Sequence, residues 1–322
     1  MRMQLALRTA AALAVMAVLG LSSTACSKIN ELKGTMRFRE ANTAYQAQDY
    51  SRAIPLYEET LANDPSLAAV HFFLGNSYDN LYQPGIDEPE NVELLNKAIA
   101  QYEMAADKLT TDTTDGAQLK MLTLQYLAAA YGSDKLNDPA RAEPVIQRMI
   151  QQDPADTAHY FALSKLYEDA GLYDEAEQIL MYAKDAKPND PNVFVQMASF
   201  YNRLGRFNET IAALEERAKL EPNNPEAFFT ISTYYWDNAQ RNVRLRDAEK
   251  MENVEKGLTA VDRALGIRPD YMEALVYKGL LLRVEANLEK DPARQQALIK
   301  EAVQLQDQAE EIRKKKGAGL VG

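Results

Sequence analysis

"TAHYFALSKLYEDAGLYDEAEQILMYAKDAKPND", residues 157–190, is followed without a gap by "PNVFVQMASFYNRLGRFNETIAALEERAKLEPNN", residues 191–224. The two windows have equal length and align from end to end. Pro154, Pro188 and Pro222 recur every 34 residues, each inside a similar string: "QQDPAD", "AKPNDPN", "KLEPNNPE". A period of this size signals a repeat architecture, which overrides any domain count taken from length. Apolar residues at i, i+3, i+4 and i+7 mark one face of a helix. In the first window Tyr160, Leu163 and Tyr167 line one such helix and Ala176, Leu180 and Ala183 a second. Gly171 between them predicts a left-handed stop for the first helix, and a proline past the second prevents it from running on.

The pattern extends in both directions from these windows. At the eighth position of successive units stand Ala41, Gly75, Ala128, Ser164, Ala198, Ser232 and Gly279, all small. At the eleventh stand Tyr78, Tyr131, Tyr167, Tyr201 and Tyr235, with Ala44 and Leu282 in the first and last units. The twentieth holds Ala53, Ala98, Ala142, Ala176, Thr210 and Gly257. Small residues at the eighth and twentieth positions suit two helices that cross closely. This spacing and these residues resemble the tetratricopeptide repeat, a helix-turn-helix unit. The resemblance implies an all-α, right-handed superhelical solenoid of about seven units over residues 34–316, because one pair cannot bury its apolar face alone. One unbroken array is expected. "QPGIDEPEN" after Tyr82 reads as an inserted loop. "DNAQRNVRLRDAEKMEN" in the sixth unit lacks Pro and Gly and predicts lengthened helices.

The N-terminus carries a different signal. Arg2 and Arg8 precede twelve uncharged residues, Ala10 to Leu21, too short for a spanning helix of about 20 residues. They suit the apolar core of an export signal. Ser23-Thr24-Ala25 permits ordinary cleavage, and Thr24-Ala25-Cys26 also resembles a bacterial lipobox, with Ser23 where an aliphatic residue is usual. Cys26 is the only cysteine in the chain. A lone thiol in an oxidising compartment invites intermolecular disulfides, and acylation would remove it. The expected organisation is a signal peptide over 1–25, a lipidated tether over 26–33, the solenoid over 34–316 and a tail over 317–322. Since Ser27 is not a retention aspartate, the resemblance places the protein at the periplasmic face of the outer membrane.

Charge narrows the function. The chain has 36 Lys and Arg against 47 Asp and Glu. Removing residues 1–25 takes away two arginines and no acid, so the net moves from −11 to −13. Nucleic acid requires a concentrated basic face, and none is evident. The two histidines, His71 and His159, lie in separate repeats without a ligand cluster, and metal sites need three or four converging ligands. Neither a nucleophile elbow nor a zinc-protease helix motif occurs. Gly317 to Gly322 spell G-A-G-L-V-G, but a dinucleotide loop needs a strand before it and a helix after it. Arg313 to Lys316 read as solvated charges at a helix C-terminus. No cofactor, metal, catalysis or small-molecule substrate is expected.

The surface offers the remaining function. In the family that the sequence resembles, first-helix positions line a concave groove where protein or peptide partners lie. Carried onto this chain, those positions include Phe38, Asn42, Tyr45, Phe72, Asn76, Phe161, Lys165, Asn202, Phe229 and Trp236. Asn42 and Asn76 occupy the same position in adjacent units, and an amide that donates and accepts could hold an extended backbone. Lys165 stands nearly alone, which disfavours a carboxylate-terminated ligand. The expectation is a membrane-anchored, non-catalytic scaffold for a protein or peptide in envelope assembly, with a soluble periplasmic binding or enzyme-accessory subunit as the alternative.

Overall fold

The computed structural model describes residues 28–317. Among them are fourteen helices and no strand, so the expected seven helix pairs are present. They divide into two compact units, one ending at Gly171 and one starting at Leu172. The N-terminal unit holds α1 (28–46), α2 (Tyr50–Asn63), α3 (Ala68–Leu81), α4 (Pro89–Lys108), α5 (Thr114–Tyr131), α6 (Pro139–Gln152) and α7 (Thr157–Asp169). The C-terminal unit holds α8 (Tyr173–Ala186), α9 (Pro191–Arg203), α10 (Phe207–Leu220), α11 (Pro225–Arg241), α12 (Asp247–Ile267), α13 (Met272–Leu288) and α14 (Pro292–Gly317). Where the sequence predicts one unbroken array, the division falls at the corner formed by Ala170, Gly171, Leu172 and Tyr173. All four are exposed.

The local chemistry of each corner recurs with the repeat. Asp156, Asp190 and Asn224 stand directly before α7, α9 and α11. Each accepts a hydrogen bond on its side chain from the backbone N–H two residues on, at 3.0, 2.9 and 3.0 Å. These caps satisfy donors that a helix start leaves orphaned. Gly205, with φ +69°, turns the chain from α9 to α10, and Gly171 has φ +76°, the conformation the sequence predicts there. The small positions hold the close approaches. A Cβ on Gly75 would meet the Tyr102 ring at 3.0 Å and the Ala98 carbonyl oxygen at 3.1 Å, tighter than ordinary van der Waals contact, so a larger residue there would require the ring or α4 to give way.

The insertions resolve as the sequence predicts, with one exception at the start. The loop before α4 is tied by Asn91, which accepts from the Gln83 N–H at 2.9 Å and donates to the carbonyls of Gln83 and Ile86 at 2.8 and 2.7 Å. The charged insertion in the sixth unit lengthens α11 and α12, which run to Arg241 and from Asp247. The exception is the tether. Residues 28–33, within the expected tether, are helical and belong to α1. They contain no proline or glycine, and Gly34 is buried so closely that a Cβ there would lie 2.9 Å from Asp64 Cβ. Cys26, the export signal and residues 318–322 lie outside the described residues.

The eleventh-position tyrosines do more than fill space. Tyr78, Tyr131, Tyr167 and Tyr201 each donate a hydroxyl hydrogen bond to a glutamate on the helix before: Glu58, Glu103, Glu143 and Glu177, at 2.6–2.9 Å. Two of these latches carry an arginine. Arg141 lies 4.6 Å from the Tyr131 ring centre and 3.0 Å from Glu103, and Arg206 lies 4.7 Å from the Tyr201 ring centre and 2.5 Å from Glu177. The Arg206 hydrogen bonds hold the Glu177 carboxyl below its ordinary range. Burial, with the bond to Glu177 second, pushes the Tyr201 hydroxyl up to about 12.

The two shifts act at opposite ends of the pH scale. A carboxyl depressed by folding contributes stability above its unfolded value of about 4.3, and that contribution is lost as pH falls through the folded value. A tyrosine raised by folding contributes below about 10, and loses it as pH climbs toward the folded value. The urea midpoint of the C-terminal unit is therefore expected to hold steady between these limits and fall outside them. Glu177→Gln should flatten the acid limb. An unchanged acid limb in that variant would exclude the latch as its cause.

Candidate partner-binding grooves

The first helices of the pairs present one face in each unit: α1, α3, α5 and α7 in the N-terminal unit, α9, α11 and α13 in the C-terminal unit. In the N-terminal unit this face is an aromatic wall. Phe38 packs on Tyr57 and Phe73, each at 6.1 Å between ring centres. Tyr45 meets Phe73 edge-on at 5.3 Å. Phe72 meets Tyr126 edge-on at 5.8 Å, and Tyr126 remains exposed. Edge-to-face geometry of this kind favours a rigid wall over interchangeable rings.

The two asparagines fall inside the wall. Asn42 Oδ1 accepts from the Tyr57 hydroxyl at 2.8 Å. Asn76 Oδ1 accepts from the Tyr45 hydroxyl at 2.7 Å and from Asn80 Nδ2 at 2.8 Å, while Asn76 Nδ2 donates to the Tyr102 hydroxyl at 3.3 Å. Asn76 and Phe72 are each only 3% exposed. Asn76, with both amide atoms engaged and almost no exposed surface, locks the wall rather than standing ready for a partner's backbone, whereas Asn42 is half-buried and is engaged by Tyr57 through Oδ1. The Tyr102 hydroxyl also donates to Asp79 Oδ2 at 3.3 Å, and Asp79 forms an ion pair with Lys135. Burial first, then the Asp79 charge, raises the Tyr102 hydroxyl far above the ordinary tyrosine range.

Between α5 and α7 the face opens into a cleft of about 500 Å³, whose floor is α6 through Ala142, Ile146 and Met149. Gln125 and Ala128 stand on one side and Lys165 and Leu166 on the other. Lys165 is exposed and pairs with Asp169 one turn on, so its charge is already compensated. Phe161, one turn before Lys165 on α7, is half-buried. It lies outside the lining of this cleft.

The C-terminal unit has a second opening, of about 350 Å³, lined by Asn202, Thr233, Tyr234, Trp236, Asp237, Arg241 and Tyr277. Trp236 and Tyr277 meet edge-on at 5.4 Å, and Tyr277 meets Phe229 at 5.2 Å and 89°. Phe229 and Trp236 are half-buried and Asn202 is exposed. Arg241 and Asp237 form an ion pair at the rim, 3.0 Å apart. Half-exposed rings with a polar rim can take an apolar side chain and align a polypeptide backbone, the composition found where proteins dock.

The face thus gathers Phe38, Asn42, Tyr45, Phe72 and Asn76 into one wall, and Asn202, Phe229 and Trp236 around one opening. Phe161 and Lys165 stand apart from both on α7. Phe73, Tyr126 and Tyr277 belong to these surfaces and are absent from the sequence reading. All three occupy the sixth position of their repeats, so an aromatic recurring there carried the signal. The histidines are structural. His71, buried, bonds Gln101 through Nδ1 at 2.8 Å and Lys108 through Nε2 at 2.9 Å. Buried His159 lies 3.6 Å from Asp156. Among the described residues no group of three or more His, Cys, Asp or Glu could hold a metal ion. No described helix is long and apolar enough to cross a membrane.

Models of the tetratricopeptide repeat match residues 38–81 and 135–199. The C-terminal part of a TPR repeat-containing protein from Cytophaga hutchinsonii superposes with a TM-score of 0.54 at 14% identity, covering 85% of this chain and 98% of that one. A tetratricopeptide repeat protein from Parabacteroides merdae gives 0.45 at 12% identity, over 84% and 99%. YrrB, described as a TPR protein with an unusual peptide-binding site, gives 0.35 at 20% identity, over 74% and 88%. No curated protein sequence matches the chain. The chain carries tetratricopeptide repeats, and the Cytophaga likeness shows the fold.

Proposed function

We infer that the chain is a non-catalytic scaffold that binds a protein or peptide partner on the first-helix faces and is anchored to the cell envelope through Cys26. The observation that carries the binding role is the pairing, within one face, of half-exposed aromatic rings with openings that have apolar walls and polar rims. A rigid wall supports affinity because little side-chain freedom is lost when a partner docks. The ion pairs at Lys165 and Asp79 leave little uncompensated positive charge on the face, which favours an apolar or weakly basic segment over a carboxylate terminus.

The anchor rests on sequence alone: an apolar export core, small residues before Cys26, and no second cysteine. Stable anchoring needs more than one acyl chain, which a lipidated N-terminal cysteine supplies. Palmitate labelling of cells should mark the wild type and spare Cys26→Ala, with the wild type released from envelopes only by detergent. Recovery of the wild type in an osmotic-shock fraction, unlabelled, would replace the anchored scaffold with the soluble accessory subunit.

A further inference from the structure

Between residues 29 and 36, α1 carries an apolar stripe that lies outside the described core. Ile29, Leu32 and Met36 are 54%, 63% and 62% exposed. At about 100° per residue they lie within about 60° of one another. Gly34 and Ala41 take the opposite side of the helix and are buried, so the stripe points away from the core. It ends abruptly, because Glu40 and Thr43 continue the same line with polar groups. Basic residues flank it: Lys28 and Arg39 on one side, Lys33 on the other, all exposed.

We propose that this stripe is a bilayer-docking surface, seated at the headgroup boundary beside the lipid on Cys26. The inference rests on the acylation of Cys26 proposed above. Three observations select lipid over a protein as the occupant. Lys28, already helical, follows Cys26 by two residues, and at no more than about 3.3–3.6 Å per residue an acylated Cys26 would bring its chains within about 7 Å of Lys28. The stripe is confined to the end of α1 nearest that point. Its cationic rim matches anionic headgroups and is the composition of helices that lie in a membrane interface. The chain's net negative charge does not oppose this, since charges further than about 8–10 Å from the headgroups are largely screened. Lipid and stripe together would fix how the first repeat meets the membrane, which acyl chains on an extended tether could not do.

The test uses full-length protein purified from membranes and returned to vesicles of phosphatidylethanolamine and phosphatidylglycerol. Leu32→Cys and Thr43→Cys are labelled with an environment-sensitive fluorophore and challenged with lipids brominated along their acyl chains, and the N-terminal peptide is weighed by mass spectrometry. Both positions are exposed in the fold, so neither variant should unfold it. The Leu32→Cys label is expected to be quenched severalfold more strongly than the Thr43→Cys label. Equal quenching would overturn the proposal, as would a Leu32→Cys label that is dry yet untouched by brominated lipid, since a protein would then cover it. An acylated peptide without quenching removes the stripe and keeps the anchor. Quenching without acylation removes the anchor and keeps the stripe.

Discussion

Tyr102→Ala is expected to destabilise the N-terminal unit by about 3–5 kcal/mol, the range for deleting a buried aromatic ring. The side chain is fully buried and sits where α4 presses on Gly75 of α3. Its ring meets Phe72 at 6.1 Å and Tyr126 at 5.8 Å. Its hydroxyl links Asn76 to Asp79, and through Asp79 to Lys135. Deletion therefore opens a cavity and at once leaves a buried amide short of a partner. Tyr102→Phe isolates the second effect and should cost about 1–3 kcal/mol. Because folded domains hold only about 5–15 kcal/mol in reserve, the alanine variant should lose urea resistance, with hydrogen-exchange protection falling first in α3, α4 and α5. A loss below about 1 kcal/mol would mean that the aromatic wall is decoration on a fold held elsewhere.

The second large effect concerns binding. Alanine at both Trp236 and Tyr277 should weaken the partner complex by at least about 2 kcal/mol, roughly 30-fold, as expected of paired aromatic anchors at the centre of an interface. The two rings touch each other and line the same opening. Both are half-buried, so the helices should survive their removal and circular dichroism should be unchanged. Trp236 is the only tryptophan in the chain, which makes its emission a direct report on occupancy of this groove. Unchanged affinity in a folded double variant would move the binding surface away from α11 and α13.

The repeat itself was legible in the sequence because packing dictates it. Where two helices cross, a Cβ at Gly75 would press on the Tyr102 ring at 3.0 Å, and the same close approach favours small residues at that position in all seven units. The lengthened α11 and α12 could be read from a charged insertion without breakers. The sequence places a tether before Gly34 because a repeat begins by definition at its first conserved position, whereas residues 28–33, which hold no proline or glycine, continue α1 as helix. The wall was only partly legible. A groove position says that a side chain points toward a face, but not whether a neighbour reaches it first. Asn76 is such a case, since Tyr45 comes from one helix and Tyr102 from another to occupy it. Tyr277 and Tyr126 were missed for the converse reason: the sixth position becomes part of the surface only when the ring there is large enough to lean over its neighbour.

Whether partners bind the first-helix faces can be read by site-specific photocrosslinking in living cells. A photoreactive phenylalanine placed at Asn202, beside Trp236 and Tyr277, is compared with one at Lys256 on α12. Both sites are exposed. A discrete protein adduct is expected from Asn202, lost in the Trp236→Ala, Tyr277→Ala background, and none from Lys256. An adduct from Lys256 alone, or an Asn202 adduct indifferent to those two rings, would contradict binding on these faces.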